Sequence, residues 1–311
     1  MFLPYSLDLP YLQRLDLRGY PFFTMVFGVA CIVIFTLQVF SELAYKEAII
    51  NYCQNELTAS VKPILEKLGS ESVFDTCVSF MVKWDINYDS KSLDFFAYKA
   101  QLSLQEEQIL ADELKRFNLI VVDDPLTAKW WHNPLNSNLI QYITSSFLHA
   151  DWKHLLFNLI FFFAFSVTIE KLIGSVFYLA FFLLCCYTTG VAYESGVFGV
   201  YGYKPTIGLS GVVAGLMALT AFVYPLKKMK VFVWVLVLVT TVRVPVILIV
   251  GFYIFSDVYG LAYLTEESNI NYVSHTAGSV TGLFGALVYY VFKYFRRIEV
   301  GVKGLEKNED L

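Results

Sequence analysis

Residues 207–224 read IGLSGVVAGLMALTAFVY, an apolar run close to the length of a membrane span that opens on a serine between two glycines. A hydroxyl in this setting either forms packing hydrogen bonds between helices or acts as an exposed nucleophile. The histidines bear on this choice, because ionisable side chains at membrane depth are costly and by default suggest function. Three of the four histidines stand at the ends of apolar segments, and His275 opens the last of those segments.

The composition is that of a polytopic membrane protein. Of the 311 residues, 57% are hydrophobic and only 16% are charged, whereas about a quarter of the residues of a soluble domain are charged. The net charge of −4 is small, and no basic stripe is interleaved with exposed aromatic residues, so nucleic-acid binding is not expected. The five cysteines are dispersed without a CxxC pair, and we expect neither a metal site nor a cofactor.

Apolar runs predict an all-α protein with six membrane-spanning helices. A polar tail, 1–20, precedes them, and we expect no cleavable signal peptide within it. A water-facing insert, 42–138, separates the first helix from a membrane core of residues 139–292, and a second polar tail, 293–311, follows. The six predicted spans are residues 21–41, 154–172, 176–193, 207–224, 244–263 and 272–292.

Basic residues in the short segments between spans predict the orientation of the chain. They place both termini in the cytoplasm and the insert on the extracytoplasmic side. Because no organelle-targeting segment is visible, we expect an integral protein of a bacterial inner (plasma) membrane. An organelle membrane is the alternative.

The fifth span has two interpretations, because Arg243 and Pro245 interrupt the apolar stretch 231–255. An arginine in the middle of a membrane is costly, whereas one at the interface is not. We therefore start this span near Val244 and interpret 231–241 as an apolar approach along the membrane edge. The alternative is one longer, tilted helix with Arg243 inside the bundle.

The insert carries two signals of its own. Ser103 and Glu106 have the spacing of a capping box, and the apolar residues that follow predict an amphipathic helix. Cys53 and Cys77 lie in the same outward-facing region, where an oxidising compartment permits a disulfide. The alternative is a pair of buried free thiols.

Four side chains are expected at one depth near the outer ends of the second, fourth and sixth spans. Ser210 and His275 lie within about one turn of those ends, and His154 and Asn158 share a helix face at i, i+4. A histidine within reach activates a serine for acyl transfer. His154, Asn158 and the backbone N–H of Ser210 can stabilise the oxyanion. No Asp or Glu lies at this depth on these three helices, which predicts a Ser-His dyad rather than a triad.

Three motifs on these spans together resemble a rhomboid intramembrane serine protease. They are GLSG at 208–211, HADWKHLLFN at 149–158 and HTAG at 275–278 followed by Gly282, and EKLIG at 170–174 fits the same family. The similarity covers residues 138–292, with the first span matched by position only. It implies a six-transmembrane-helix rhomboid-like bundle with a mixed extracytoplasmic insert between helices one and two.

The resemblance also implies the site and its substrates. Ser210 is the expected nucleophile, His275 the general base, and His154 and Asn158 oxyanion donors, acting without a cofactor on transmembrane-helix protein substrates in the lipid bilayer near the outer membrane face. The expected structural residues are His149, Glu170, Gly208, Gly211, Gly278 and Gly282. The two glycines beside Ser210 allow close approach of backbone and substrate, and the later pair fits a close helix contact.

The sequence departs from the family pattern at three places. Ala214 stands where many relatives carry an aromatic residue against the histidine, Ile140 and Gln141 replace a Trp-Arg pair, and the insert is unusually long. One rival hypothesis is a catalytically silent rhomboid-like protein that binds transmembrane clients. The other is a transporter or channel in which Arg243 lines the pathway.

Overall fold

The computed structural model describes residues 2–7, 20–69, 72–86, 101–121, 124–199, 204–235, 238–264, 268 and 270–309. The chain is mostly helical and forms two compact units. The membrane unit comprises Met1–Ile34 and His132–Leu311, and the insert unit comprises Phe35–Trp131.

Helices account for most of the described residues. A π-helical turn, Tyr52–Glu56, follows the first helix, and a 3-10 turn, Ser145–Phe147, follows the sixth. In chain order the helices are α1 (Phe22–Asn51), α2 (Lys62–Leu68), α3 (Val73–Ile86), α4 (Leu104–Ile120), α5 (Leu126–Trp130), α6 (Gln141–Thr144), α7 (Trp152–Ile173), α8 (Ser175–Ser195), α9 (Ser210–Val223), α10 (Val246–Tyr263) and α11 (Tyr272–Glu309).

Four helices of the described chain are long and apolar enough to cross a membrane, which indicates an integral membrane protein. They are α1 together with its π turn, α7, α8 and α10. The fourth predicted span corresponds to α9, a shorter apolar helix of 14 residues, and the sixth to the start of α11. The first helix continues to Asn51, ten residues beyond its predicted end, because 42–51 contains neither glycine nor proline.

A three-stranded antiparallel sheet corrects the all-α prediction. Its strands are β1 (Phe2–Leu7), β2 (Lys228–Val235) and β3 (Leu238–Pro245), in the order β1-β2-β3. The predicted membrane-edge approach thus contributes to a pair of antiparallel strands, for which its many valines and threonines are suited. Part of the polar N-terminal tail pairs with it.

The sheet also decides between the two interpretations of the fifth span. Arg243 lies on β3, where it is exposed, and Pro245 precedes the first residue of α10. The alternative of a longer helix with Arg243 inside the bundle is therefore wrong. The position of Arg243 on a strand also removes the observation that favoured a transporter.

Glu170 fastens the start of α1 to the end of α7. Its buried carboxylate accepts hydrogen bonds from the backbone N–H groups of Phe23 (3.0 Å) and Thr24 (2.7 Å) and from the hydroxyls of Thr24 (2.7 Å) and Ser175 (2.8 Å). The first N–H groups of a helix have no intrahelical acceptor, so the carboxylate satisfies donors that would otherwise be unpaired. Because Ser175 begins α8, three helices meet at this one side chain.

Glycines bring α9 and α11 into backbone contact. A Cβ added at Gly278 would lie 3.0 Å from the carbonyl carbon of Gly211 and inside contact distance of its oxygen. One at Gly282 would be 2.8 Å from Ala218 Cβ and 2.9 Å from the backbone nitrogen of Leu219. The small-xxx-small spacing therefore places the first turns of these two helices side by side.

The insert unit has its own hydrophobic core. Leu110, Leu114 and Phe117 of α4 pack there with residues of α2, α3 and the π turn. The capping box predicted at Ser103 and Glu106 is confirmed, since each side chain bonds the backbone N–H of the other residue. Cys53 and Cys77 form a disulfide across this core, with their Cα atoms 6.0 Å apart.

Candidate functional site

The four expected site residues surround one cavity of the membrane unit. The cavity has a volume of about 500 Å³ and lies among α7, α9, α10 and α11. His154, Asn158, Ser210 and His275 all line it, and most of the remaining lining is apolar or aromatic. The helices therefore bring together polar groups that are up to 121 residues apart in the sequence, from His154 to His275.

Ser210 is the first residue of α9. A backbone hydrogen bond fixes the turn that precedes it. Gly208 N–H donates to the carbonyl of Ser145 at 2.9 Å, and Gly208 has φ +122°, a conformation that L side chains rarely adopt. The N-cap residue of α9, Leu209, provides no capping hydrogen bond from its side chain. The backbone N–H groups of this first turn, including that of Ser210, therefore have no intrahelical acceptors and are oriented to bind a developing negative charge.

His154 presents an N–H group to this turn. The backbone N–H of Ala150 donates to Nδ1 of His154 at 3.3 Å, so the neutral imidazole carries its proton on Nε2. A Cβ added at Gly208 would lie only 3.0 Å from that Nε2 and 3.9 Å from Nδ2 of Asn158. Both side chains thus place nitrogen donors beside the backbone that leads into Ser210.

The start of α7 fixes the position of His154. The carboxylate of Asp151 accepts the His154 backbone N–H at 2.8 Å as the helix N-cap, and this hydrogen bond holds the pKa of Asp151 below its usual range. His149 is fully buried with its ring edge-on to that of His154 at 5.2 Å. Burial lowers the pKa of His149 to about 4, so this imidazole is neutral at pH 7.

The helix that carries His275 is tied by hydrogen bonds to the loop that leads into Ser210. Asn271 accepts the backbone N–H of Ser274 at 3.0 Å, and its amide nitrogen donates to the hydroxyl of Thr206 at 3.0 Å. Thr206 in turn pairs through its backbone with His132. These bonds restrain the start of α11 against the segment that precedes Ser210, and sequence reasoning had identified neither Thr206 nor Asn271.

An acidic side chain contacts His275, a neighbour that the prediction of a Ser-His dyad did not include. Oδ1 of Asp257, on α10, lies 2.9 Å from Nδ1 of His275. Both side chains are mostly buried, with exposures of 14% and 19% respectively. The prediction considered only the second, fourth and sixth spans, whereas Asp257 comes from the fifth. The available signal was that Asp257 is the single charged residue of α10.

Ser210 and His275 line the same cavity from neighbouring helices. Within the described part of the chain, no hydrogen bond joins Ser210 Oγ to the imidazole. Catalytic hydrogen bonds are often long before substrate binds and shorten in the complex, so this geometry is compatible with a nucleophile and its base.

A family model described as the rhomboid domain matches residues 136–292, just over half of the chain. The chain belongs to the rhomboid family. Rhomboid proteins are in general intramembrane serine proteases that act on transmembrane substrates. The chain has no significant match among curated proteins.

The rhomboid match includes the four cavity residues and ends within α11. It begins after the insert unit, so that unit lies outside the family's domain. The segment around Ile140 and Gln141, which departs from the family pattern, is anchored by other groups. Ser137 and Tyr142 both donate hydroxyl hydrogen bonds to Glu194 of α8, at 2.8 Å and 2.7 Å.

Proposed function

We propose that this rhomboid protein is an active intramembrane serine endopeptidase. It hydrolyses a peptide bond in or next to a transmembrane helix of its substrate, near the outer face of the membrane. The observation that carries the proposal is the convergence of Ser210, His275, His154 and Asn158 on one cavity. A nucleophile, a base and oxyanion donors are the groups that acyl transfer requires.

In the acylation step, Ser210 Oγ attacks the carbonyl carbon of the scissile bond and its proton passes to Nε2 of His275. The backbone N–H of Ser210, Nε2–H of His154 and the amide of Asn158 donate to the oxyanion of the tetrahedral intermediate. Collapse of this intermediate breaks the C–N bond, and His275 returns the proton to the leaving amine. The products are an acyl-enzyme ester on Ser210 and the free amine fragment.

In the deacylation step, water replaces the amine fragment. His275 takes a proton from the attacking water, a second tetrahedral intermediate forms in the same oxyanion site, and its collapse releases the carboxylic acid fragment. The proton then returns to Ser210 Oγ. The chemistry uses side chains and water throughout and requires neither a metal nor a cofactor.

The lining of the cavity supports a membrane-embedded substrate. Phe157, Phe161, Val250 and Tyr253 contribute apolar or aromatic surface on the α7 and α10 sides, and such surface favours the side chains of a transmembrane helix over a soluble polar peptide. We further propose that α9 and the first part of α11 complete a six-helix bundle with both termini in the cytoplasm.

The test is covalent labelling by a fluorophosphonate probe, together with cleavage of a transmembrane-helix reporter, in the full-length protein in liposomes. Ser210→Ala and His275→Ala should each fold and insert but lose both signals. Ser195→Ala is the matched control, because Ser195 is an exposed serine at the end of α8, and it should keep both signals.

Two results would overturn the proposal. Labelling that persists in Ser210→Ala would remove this residue as the nucleophile. A folded wild-type protein that is neither labelled nor able to cleave, but retains an intact transmembrane client through purification, would support the silent client-binding rhomboid instead.

A further inference from the structure

Asp257 is an acidic residue within an otherwise uncharged, strongly apolar helix. At 1.5 Å per residue it lies about 9 Å from the last residue of α10, whereas His275 lies about 4.5 Å from the first residue of α11. Placing a carboxylate at this depth is costly in a membrane protein. In the structure, Oδ1 of Asp257 lies 2.9 Å from Nδ1 of His275, so the carboxylate has a polar partner at this depth.

We propose that Asp257 is a positioning residue for the reaction, acting through His275. It accepts the Nδ1–H of the imidazole and thereby leaves the lone pair of Nε2 free to face Ser210. This inference rests on the proposed protease function and extends its dyad to a Ser-His-Asp arrangement. The acid comes from the fifth span, outside the motifs that carry the family resemblance.

The direction of the hydrogen bond follows from the chemistry of the two groups. An ionised carboxylate can only accept, so Nδ1 must carry the proton in this contact. In a neutral imidazole Nε2 then has the lone pair that a general base needs. Because Asp257 is only 14% exposed, competition from water for this bond is reduced, and the ring is held in one orientation.

Asp257 differs from the other polar side chains near His275 in carrying a carboxylate that can accept from Nδ1. His154 of α7 and Ser210 of α9 also line the cavity, but His154 is a neutral donor whose Nδ1 already accepts from Ala150. When Ser210 gives its proton to Nε2, His275 becomes a cation, and the carboxylate opposite Nδ1 stabilises that cation. The carboxylate acts through this hydrogen bond alone, and no proton moves to it.

A purely structural tie between α10 and α11 would use the same hydrogen bond, so the test must separate the two roles. Asp257→Asn keeps the size of the side chain but supplies an amide that can donate to Nδ1. That donation favours the other tautomer, with the proton on Nε2, in which His275 is not a base toward Ser210. Asp257→Glu keeps the carboxylate and should restore the correct tautomer.

The experiment compares wild type, Asp257→Asn and Asp257→Glu as full-length proteins in the same detergent. Cleavage of a transmembrane-helix reporter gives kcat and KM, thermal unfolding gives stability, and ¹⁵N NMR of labelled histidines gives the tautomer of His275, assigned with His275→Ala. Asp112→Asn serves as the control, since it removes one carboxylate charge at an exposed site of the insert unit.

The proposal expects kcat of Asp257→Asn to fall by about 10² to 10⁴-fold, the range for a general base, with little change in KM. The proton of His275 should move from Nδ1 to Nε2, while Asp257→Glu should recover kcat to within about tenfold of wild type. Unfolding midpoints should stay close to that of Asp112→Asn.

Two outcomes would overturn it. One is a kcat of Asp257→Asn that stays within about threefold of wild type. The other is an equal loss of kcat in Asp257→Asn and Asp257→Glu together with a lowered unfolding midpoint, which would show that Asp257 only ties α10 to α11. If the wild type itself neither cleaves nor labels, the protease proposal fails on its own. The tautomer then still decides the role of Asp257, because a His275 proton that stays in place in Asp257→Asn contradicts positioning.

Discussion

Gly278→Ala should separate α9 from α11 and so test whether their contact aligns Ser210 with His275. The added Cβ would lie 3.0 Å from the carbonyl carbon of Gly211 and closer still to its oxygen. Gly211 directly follows Ser210 in α9, and Gly278 lies three residues after His275 in α11. The change therefore acts on the backbone that carries Ser210 and His275, the proposed nucleophile and base, without altering either side chain.

The expected magnitude follows from the distances. Carbon atoms pack favourably at about 3.5 to 4.0 Å, so the two helices must move apart by on the order of 1 Å to accommodate the methyl group. Overpacking of this kind costs about 1 to 3 kcal/mol, which the better helix propensity of alanine offsets by about 1 kcal/mol. A displacement of about 1 Å can reduce the rate by about 100-fold. The loss of reporter cleavage should therefore be large while the unfolding free energy falls only slightly.

Gly251→Ala is the matched control. Gly251 lies within α10, and a Cβ built there meets no atom within 4 Å. Both changes add one methyl group to a helical glycine, but only the change at Gly278 forces a contact. The two variants should be compared by reporter cleavage and by thermal unfolding in the same detergent, and Gly251→Ala should match or slightly exceed wild type in stability.

Equal behaviour of the two variants would refute the reasoning. If Gly278→Ala unfolds and cleaves as Gly251→Ala does, the backbone contact between α9 and α11 does not determine the spacing of Ser210 and His275. A loss of stability with unchanged kcat would show instead that the contact holds the bundle but leaves the site geometry unaffected.

Three further predictions concern separate parts of the chain. Asn158→Ala should lower kcat by about 10² to 10³-fold with little effect on KM, as expected for one oxyanion donor, and an unchanged kcat would remove it from that role. Glu170→Gln should cost about 1 to 3 kcal/mol, because its amide would turn a donor toward the N–H groups that the carboxylate accepts; thermal unfolding equal to wild type would contradict this. Cys77→Ser removes the disulfide to Cys53, which is 24 residues away in the sequence. Hydrogen exchange should show that the insert unit loses about 3.5 kcal/mol of unfolding free energy. Identical protection in the variant would show that the Cys53–Cys77 bond does not stabilise the unit.

The long apolar helices could be predicted from the sequence because their signals are local. The predicted bounds of α7, α8 and α10 lie within two residues of the observed ones. Asp151 caps α7, Gly174 with positive φ separates α7 from α8, and Pro245 precedes α10. Each of these signals is carried by the residues at the boundary itself. Hydropathy together with the capping and helix-breaking residues is therefore sufficient to predict the bounds of these helices.

The sheet could not be predicted in the same way. An apolar stretch rich in valine and threonine suits both a membrane approach and a buried strand, and hydropathy does not distinguish them. What decides between them is pairing, and β1, the partner of β2, lies more than two hundred residues earlier in the chain. The ladder is thus a long-range property that no local window contains.

The residues of the candidate site also differ in whether local sequence signals could identify them. Ser210 and the pair His154 and Asn158 are recognisable because each lies at a helix start with a local motif, and the depth of each could be counted from that start. Asp257 has no motif, and its approach to His275 depends on how α10 is rotated against α11. That rotation is set by packing among several helices, which the separate analysis of each span could not supply.

Two carboxylates of the membrane unit, Glu170 and Asp257, show how a structural acid can be told from a functional one. Both lie in apolar helices and both have hydrogen-bond partners, so burial alone does not separate them. The donors to Glu170 are backbone N–H groups and hydroxyls, whose charge stays the same in any step of a reaction. The partner of Asp257 is an imidazole that gains and loses a proton in the proposed reaction, so its interaction with the carboxylate differs between the ground state and the transition state. Only an interaction that strengthens in the transition state accelerates the reaction. By this criterion the proposed role of Asp257 is to position His275 for the reaction, whereas that of Glu170 is to hold the fold.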